Sequence, residues 1–346
     1  MASLLLPRPG PALLFAGAAL LNPRAGRAAS PSLLFVRGAP ESATAKHWSA
    51  ETGTRTLGAG GPGWLVGPPS PDGRQALVIE VRGADQQLLL VDIQSGEARP
   101  LGEPARRLRQ PSWTPDGLNV VVERANTGAP QIWLHPAEGG PGHPLTAHPT
   151  GAFDGRVSPD GATLAFVAHE EGSLELWHQP TAGGPAARLL AAEGDDLQPT
   201  WSPDGTRLAF LAERGGRLAV HGIARDGSGE RTTWRPAADT GEALVPEQGL
   251  AWSPSGDALA VVVRRADGRP DVRLIDARRG RVLAHAGGLD TAETPAWLPD
   301  GSGVVFASDA GAKAGLHSLS RDGHLTPLAT GPAWLPRVLQ GEPGSP

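Results

Sequence analysis

Residues 199–212 read PTWSPDGTRLAFLA, and the same phrase returns with substitutions five more times. The other copies are PPSPDGRQALVIE from Pro68, PSWTPDGLNVVVE from Pro111, GRVSPDGATLAFVA from Gly155, LAWSPSGDALAVVV from Leu250 and PAWLPDGSGVVFAS from Pro295. The shared proline falls at Pro71, Pro115, Pro159, Pro203, Pro254 and Pro299, with successive gaps of 44, 44, 44, 51 and 45 residues. Ser-Pro-Asp-Gly suits a tight turn, because Pro presets φ, Asp accepts local backbone bonds and Gly tolerates positive φ. The run after it, such as Leu208-Ala209-Phe210-Leu211, is apolar without alternation. A short run of that kind predicts a strand covered on both faces.

Two weaker phrases complete each unit. A third strand ends in a Gly-containing turn, as in LLLVDIQSG up to Gly96 and ELWHQPTAG up to Gly183, and a short fourth strand follows, as in ARPLG and ARLLA. Four antiparallel strands per unit of about 44 residues predict an all-β fold, a β-propeller with one blade per unit. Residues 32–57 contain the last three strands of a unit, and residues 331–338 contain a lone first strand. Joined, they make a composite N/C-terminal blade, which predicts seven blades. The alternative is six blades, with the terminal fragments as an irregular flap.

The phrase with Trp two residues before the turn Pro resembles the WD40-like Pro-Asp repeat of TolB-like propellers, a repeat shared with the propeller domains of prolyl oligopeptidases. The resemblance covers residues 30–346. Pro69 and Val157 stand where the motif has Trp, and Ser255 stands where it has Asp. The resemblance implies a non-catalytic scaffold in the cell envelope. Its channel-mouth rim would receive a protein or peptide partner, an envelope lipoprotein being the family's case.

The chain's 346 residues carry a formal charge of -5, with 31 basic against 36 acidic residues, so no electrostatic footprint for nucleic acid exists. The absence of Cys excludes disulfides and thiolate chemistry. Residues 1–29 read as a signal peptide or disordered leader. The apolar run Pro11–Leu21 suits a signal-peptide core and is too short to span a bilayer, with Gly26 and Ala28 able to frame a cleavage site. Residues 30–346 are then one propeller, expected to be a periplasmic or secreted monomer, with cytoplasmic residence as the alternative. No later segment is apolar enough to cross a membrane as a helix.

No G-x-S-x-G elbow occurs, so a peptidase's nucleophile is missing. The alternative function is a propeller enzyme, a metal-dependent lyase or hydrolase, with its site at the central channel; His148 and His285 lie in inter-blade connections and are the possible ligands. His135, His178, His221 and His317 fall in third strands and read as structural. No cofactor or metal is expected. Trp113, Trp201, Trp252, Trp297 and Trp334 recur at one position and read as packing between blades. What varies from blade to blade is the connection entering each first strand. It carries Arg109 and Gln110, Asp154, Asp195, Asp196 and Gln198, Glu247 and Gln248, and Glu293 and Thr294, the candidate partner-binding set. The 51-residue gap places extra loop at 235–249, and with Asp239, Glu242 and Glu247 it predicts an acidic sector that favours basic partners.

Overall fold

The computed structural model describes residues 65–289, 291–292, 295–308 and 315–330, and the backbone of four terminal strands, Ser32–Arg37, Thr44–Ser49, Gly53–Thr56 and Trp334–Leu339. The leader and the pair Glu293 and Thr294 lie outside the described residues. The strands form seven antiparallel sheets. Six are blades of consecutive strands, numbered one to six here from Leu65–Pro69 to Leu325–Thr330. The remaining sheet is shared by the two termini. Trp334–Leu339 pairs with Ser32–Arg37, Val36 lying opposite Trp334, and the strands Thr44–Ser49 and Gly53–Thr56 follow outward. Trp334–Leu339 also lies against Gly303–Ser308 of blade six and Leu65–Pro69 of blade one. The terminal strands form a sheet of their own against those two blades, beside the six blades of consecutive strands.

Each second strand is buried on both faces, which is why its sequence does not alternate. Residues Leu208 to Ala212 are at most 1% exposed, and Phe166, Phe210 and Phe306 are fully buried. The core lies between blades as much as within them. Leu77, Ile79 and Leu88 of blade one pack with Leu108, Trp113 and Val120 of blade two in one cluster.

The repeat tryptophans join neighbouring blades by one recurring bond. Trp113 Nε1 donates to the Pro68 carbonyl at 3.2 Å, Trp201 to Arg156 at 3.0 Å, Trp252 to Thr200 at 3.1 Å and Trp297 to Ala251 at 2.9 Å. Each acceptor is the residue just before the same motif position in the preceding blade, so every indole reads the register of its neighbour. These tryptophans are buried, as expected of packing sites.

The turns that follow the tryptophans add a second linkage beside the first. Within a turn, Ser202 Oγ donates to Asp204, whose carboxylate accepts the Thr206 N–H, while Gly205 sits at φ 66°. Blade five has Ser255 in place of that Asp, and Asp257 takes over, accepting from Ser253 Oγ at 2.8 Å and Ser255 Oγ at 2.6 Å. Between turns, Arg225 pairs with Asp160 of the preceding blade and lies over Trp201, and Arg321 does the same with Asp257 and Trp297. The hydrogen bonds from Arg225 and Arg321 hold both carboxyls well below the ordinary carboxylate range.

The longer fourth-to-fifth spacing is built into the inner strand itself. Ala243–Leu244 pairs with the second strand of blade five, Ala251–Trp252 resumes the pairing, and one 3-10 turn, Pro246–Gln248, lies between. Blade four breaks register over residues 198–199 only, whereas blade five does so over 246–250. Glu242 of this insertion is fixed by two hydrogen bonds from Arg273. The expectation of a free acidic loop is corrected on this point.

Because the indole bond is repeated between blades, removing one should loosen two blades together. Trp297→Ala is expected to destabilise the fold by about 3–5 kcal/mol through lost contacts and a cavity, read as a lower urea midpoint at unchanged far-UV circular dichroism in buffer. Trp297→Phe should recover most of the loss, the missing N–H bond accounting for about 1 kcal/mol.

Candidate functional site

The inner strands carry a bulge near the upper face, where each chain segment enters its blade. Pairing slips between Arg109 and Ser112, Phe153 and Arg156, and Leu197 and Thr200. At the bulge Gln110, Asp154 and Gln198 take φ of 53°, 53° and 52°, and Gly249 of blade five takes 68° at the same motif position. A non-glycine residue in this left-handed region costs about 1 kcal/mol, and three in register on adjacent blades need compensation from their surroundings.

The compensation is a chain of polar bonds running from blade to blade. Gln110 Nε2 donates to Asp154 Oδ1 at 3.1 Å, and the Arg156 guanidinium donates to Gln110 Oε1. The Gln198 N–H donates to the Asp154 carboxylate, and the Asp154 N–H donates to the carboxylate of Glu123. The bonds of Gln110 with Asp154 and Arg156 lie at a junction where the indole tie is missing. Blade three has Val157 at the Trp position, as blade one has Pro69, so no repeat indole of blade three donates to blade two. Polar side chains join blades two and three instead.

Over this chain opens a cleft of about 220 Å³, the candidate functional site, lined by residues of blades two, three and four. Glu123 lies at its base, 3% exposed, 3.1 Å from Arg107. Burial pushes its carboxyl up to about 7 against the opposing pull of Arg107. Burial raises Asp154 as well, against the pull of Arg156. Arg109 lies opposite Glu123 in the strand ladder and is exposed, and Phe153 meets His169 edge to face at 5.8 Å on the far wall. Two of these groups were legible in the repeat but not singled out by it. Ten residues after the Trp position the blades carry Ile79, Glu123, Val167, Leu211, Val262 and Ala307, and Glu123 is the lone charge in that column. One residue before the Trp position, Arg156 is likewise the lone charge among Pro68, Ser112, Thr200, Ala251 and Ala296.

Of the candidate partner-binding residues, the cleft gathers Arg109, Gln110, Asp154 and Gln198. Asp195 is used internally, its carboxylate accepting the Leu174 N–H at 2.8 Å. Asp196 is fully buried and bonded to Arg214 at 2.7 Å, with burial raising its carboxyl to about 6. It is no solvated loop charge, and reversing it would place a second cation beside Arg214 in the interior. Gln248 is buried in the 3-10 turn, its N–H bonded to the Val245 carbonyl. Glu247 belongs to the same turn, and its side chain lies outside the described residues, as do Glu293 and Thr294. Of the acidic sector, Asp195, Asp196 and Glu242 are engaged within the protein, and the cleft itself sets the guanidinium groups of Arg107 and Arg109 against the carboxyls of Glu123 and Asp154.

His135 and His221 are buried, His221 beside Glu230 at 2.8 Å, consistent with structural roles. His148 packs edge-on against Trp177, and His285 lies 3.4 Å from Asp271. Among the described residues no three His or carboxylate groups come together as a metal site, and His148 and His285 belong to different blades.

Comparison with known proteins places these features in context. The model of the TolB beta propeller domain matches residues 35–232, and that of the lipoprotein LpqB beta-propeller domain matches residues 200–314. No curated protein matches the sequence. Among solved structures, TolB from Acinetobacter baumannii is 18% identical over 89% of this chain and 83% of its own, with a TM-score of 0.58. A puromycin hydrolase is 19% identical over 88% of this chain and 53% of its own, at 0.66. An oligogalacturonate lyase in complex with manganese is 15% identical over 88% and 86%, at 0.62. At these identities the likeness is one of fold.

The raised carboxyl of Glu123 sets a direction for pH dependence. Its folded value of about 7 exceeds the ordinary 4.5, so its contribution is complete below 4.5 and is lost as pH rises through 7. Relative to Glu123→Gln, the wild type should lose up to about 3 kcal/mol of stability between about pH 4 and about pH 8. Denaturant midpoints of the two proteins across that range check it, and parallel curves would contradict it.

Proposed function

This chain belongs to the TolB β-propeller family, and from that premise we propose that it is a non-catalytic scaffold that binds a protein or peptide partner at its upper face, in the cell envelope. The observation that carries the reading is the cleft over Gln110, Asp154 and Gln198, where three non-glycine residues take the left-handed bulge position and Glu123 departs from the repeat as a lone charge. Departure from a repeat at adjacent blades, at a cost in local strain, is what selection for a site produces and what packing alone does not require. The match to a lipoprotein propeller domain supports an envelope setting, as does the signal-like segment within residues 1–29. No helix among the described residues is long and apolar enough to cross a membrane, which says nothing of strands. We take the working unit to be the monomer.

One observation favours the enzyme reading. A carboxyl near 7, held beside Arg107, is suited to exchange a proton at neutral pH. Metal analysis of the purified protein bears on it directly, since stoichiometric manganese, calcium or zinc would move the reading toward a channel enzyme.

Gln198→Gly tests the scaffold reading without disturbing the fold. Blade five already has Gly249 at this motif position, and relief of left-handed strain should offset glycine's entropic cost to within about 1 kcal/mol. The variant should keep its melting temperature and lose most of its capture of cross-linked partners from an envelope extract. Capture undiminished in the variant would place the partner site elsewhere.

A further inference from the structure

We propose that the cleft of blades two to four captures a peptide carboxylate, with Arg109 as its cationic partner. The proposal rests on the partner-binding reading and gives that partner its chemistry. The argument is one of elimination within the cleft. Glu123 is paired with Arg107 and accepts the Asp154 N–H. Asp154 accepts from Gln110 and from the Gln198 N–H, and Arg156 is engaged by Gln110. Each of these charges is met from inside the protein. Arg109 acts on the carboxyls of Glu123 and Asp154 through its field alone and makes no hydrogen bond or ion pair with any described residue, yet it stands across the strand ladder from Glu123 at the wall of the cavity. A ligand that completes the site therefore brings an anion.

Two further features narrow the anion to a carboxylate on a peptide. The guanidinium plane matches a carboxylate in a two-bond geometry, and a partly enclosed cavity strengthens the pair relative to open water. Three buried side-chain atoms of the lining residues have no hydrogen-bond partner, Arg107 Nε, Glu123 Oε1 and Gln198 Oε1, and the last rests against Gly249. A peptide supplies both a carboxylate and an N–H, and Phe153 with His169 offers a flat apolar surface between them. The cavity of about 220 Å³ suits one end or one side chain of such a ligand, with the rest of the peptide lying across the upper face.

A terminal carboxylate and an acidic side chain share this chemistry, and three probes separate them. Acetyl-Phe-Gly-Gly as free acid, the same peptide as its amide, and acetyl-Phe-Glu-Gly amide would be titrated into the full-length protein. The arginine Nε–H resonances report on binding, with the Arg109 signal identified by its absence in Arg109→Gln. Saturable shift of that signal by the free acid alone supports a terminal carboxylate, and shift by the Glu-containing amide supports a side-chain carboxylate. Arg109→Gln should weaken the active probe by about tenfold or more, the usual cost of a charged hydrogen bond. Arg109→Lys should fall between the two, because it keeps the charge and loses the fork. Silence from both carboxylate probes, or equal binding by Arg109→Gln, overturns the proposal. If partner capture from the envelope extract persists under that silence and still depends on Gln198, only the carboxylate inference fails; if capture does not depend on Gln198, the assignment of the partner site to this cleft fails with it.

Discussion

The bond from a tryptophan N–H to a carbonyl of the preceding blade is the interaction on which the ring depends. A propeller blade is a twisted sheet whose two faces must both be covered, and the cover is another copy of itself. Apolar contact alone would let neighbouring blades slide, since Val, Leu and Ala surfaces match in many registers. The indole is buried as a large flat group and carries one donor that must be satisfied. Placing the acceptor one residue before the same motif position in the next blade allows a single register. Repeated at Trp113, Trp201, Trp252 and Trp297, it converts a row of similar sheets into a ring of fixed pitch.

The turn chemistry works beside the indole bond, at the same end of the blades. Arg225 and Arg321 each lie over the indole of their own blade and pair with the turn carboxylate of the one before, so one side chain serves both layers of the joint. The exchange of roles between Ser255 and Asp257 shows that the carboxylate, not its position in the motif, is what the turn needs. Moving it two residues along preserved both the hydroxyl acceptor and the partner of Arg321.

The candidate site lies where this regularity lapses. With Val157 in place of Trp, blades two and three have no indole bond to share, and Gln110, Asp154 and Arg156 join them with polar side chains. A polar joint admits water, charge and a cavity, none of which a packed indole would leave room for. Function in a repeat fold is expected at such exceptions, because the regular positions are already committed to holding the ring. Asp195 and Asp196 show the other side of the point. They sit in a variable connection, but their charges are spent on the Leu174 N–H and on Arg214.

The sequence by itself determined the blade, the turn and the period, because these follow from local chemistry: Pro and Gly at fixed φ, Asp bonding its own backbone, and apolar runs too short and too uniform for a helix. It also pointed to the pairing of residues 32–57 with 331–338, since a unit without its first strand and a first strand without its unit complete each other. The tertiary structure decided which polar residues remain free to bind. Glu247, Asp196 and Arg109 look alike as charged residues in connecting segments, but Asp196 is turned inward to Arg214, whereas Arg109 is exposed and makes no hydrogen bond with any described residue. Glu123 and Arg156 were visible as lone charges in uncharged columns, yet only the contact between blades brought both to Asp154. That selection depends on contacts between residues tens of positions apart, and those contacts are fixed by the angle at which blades meet, which no local pattern encodes.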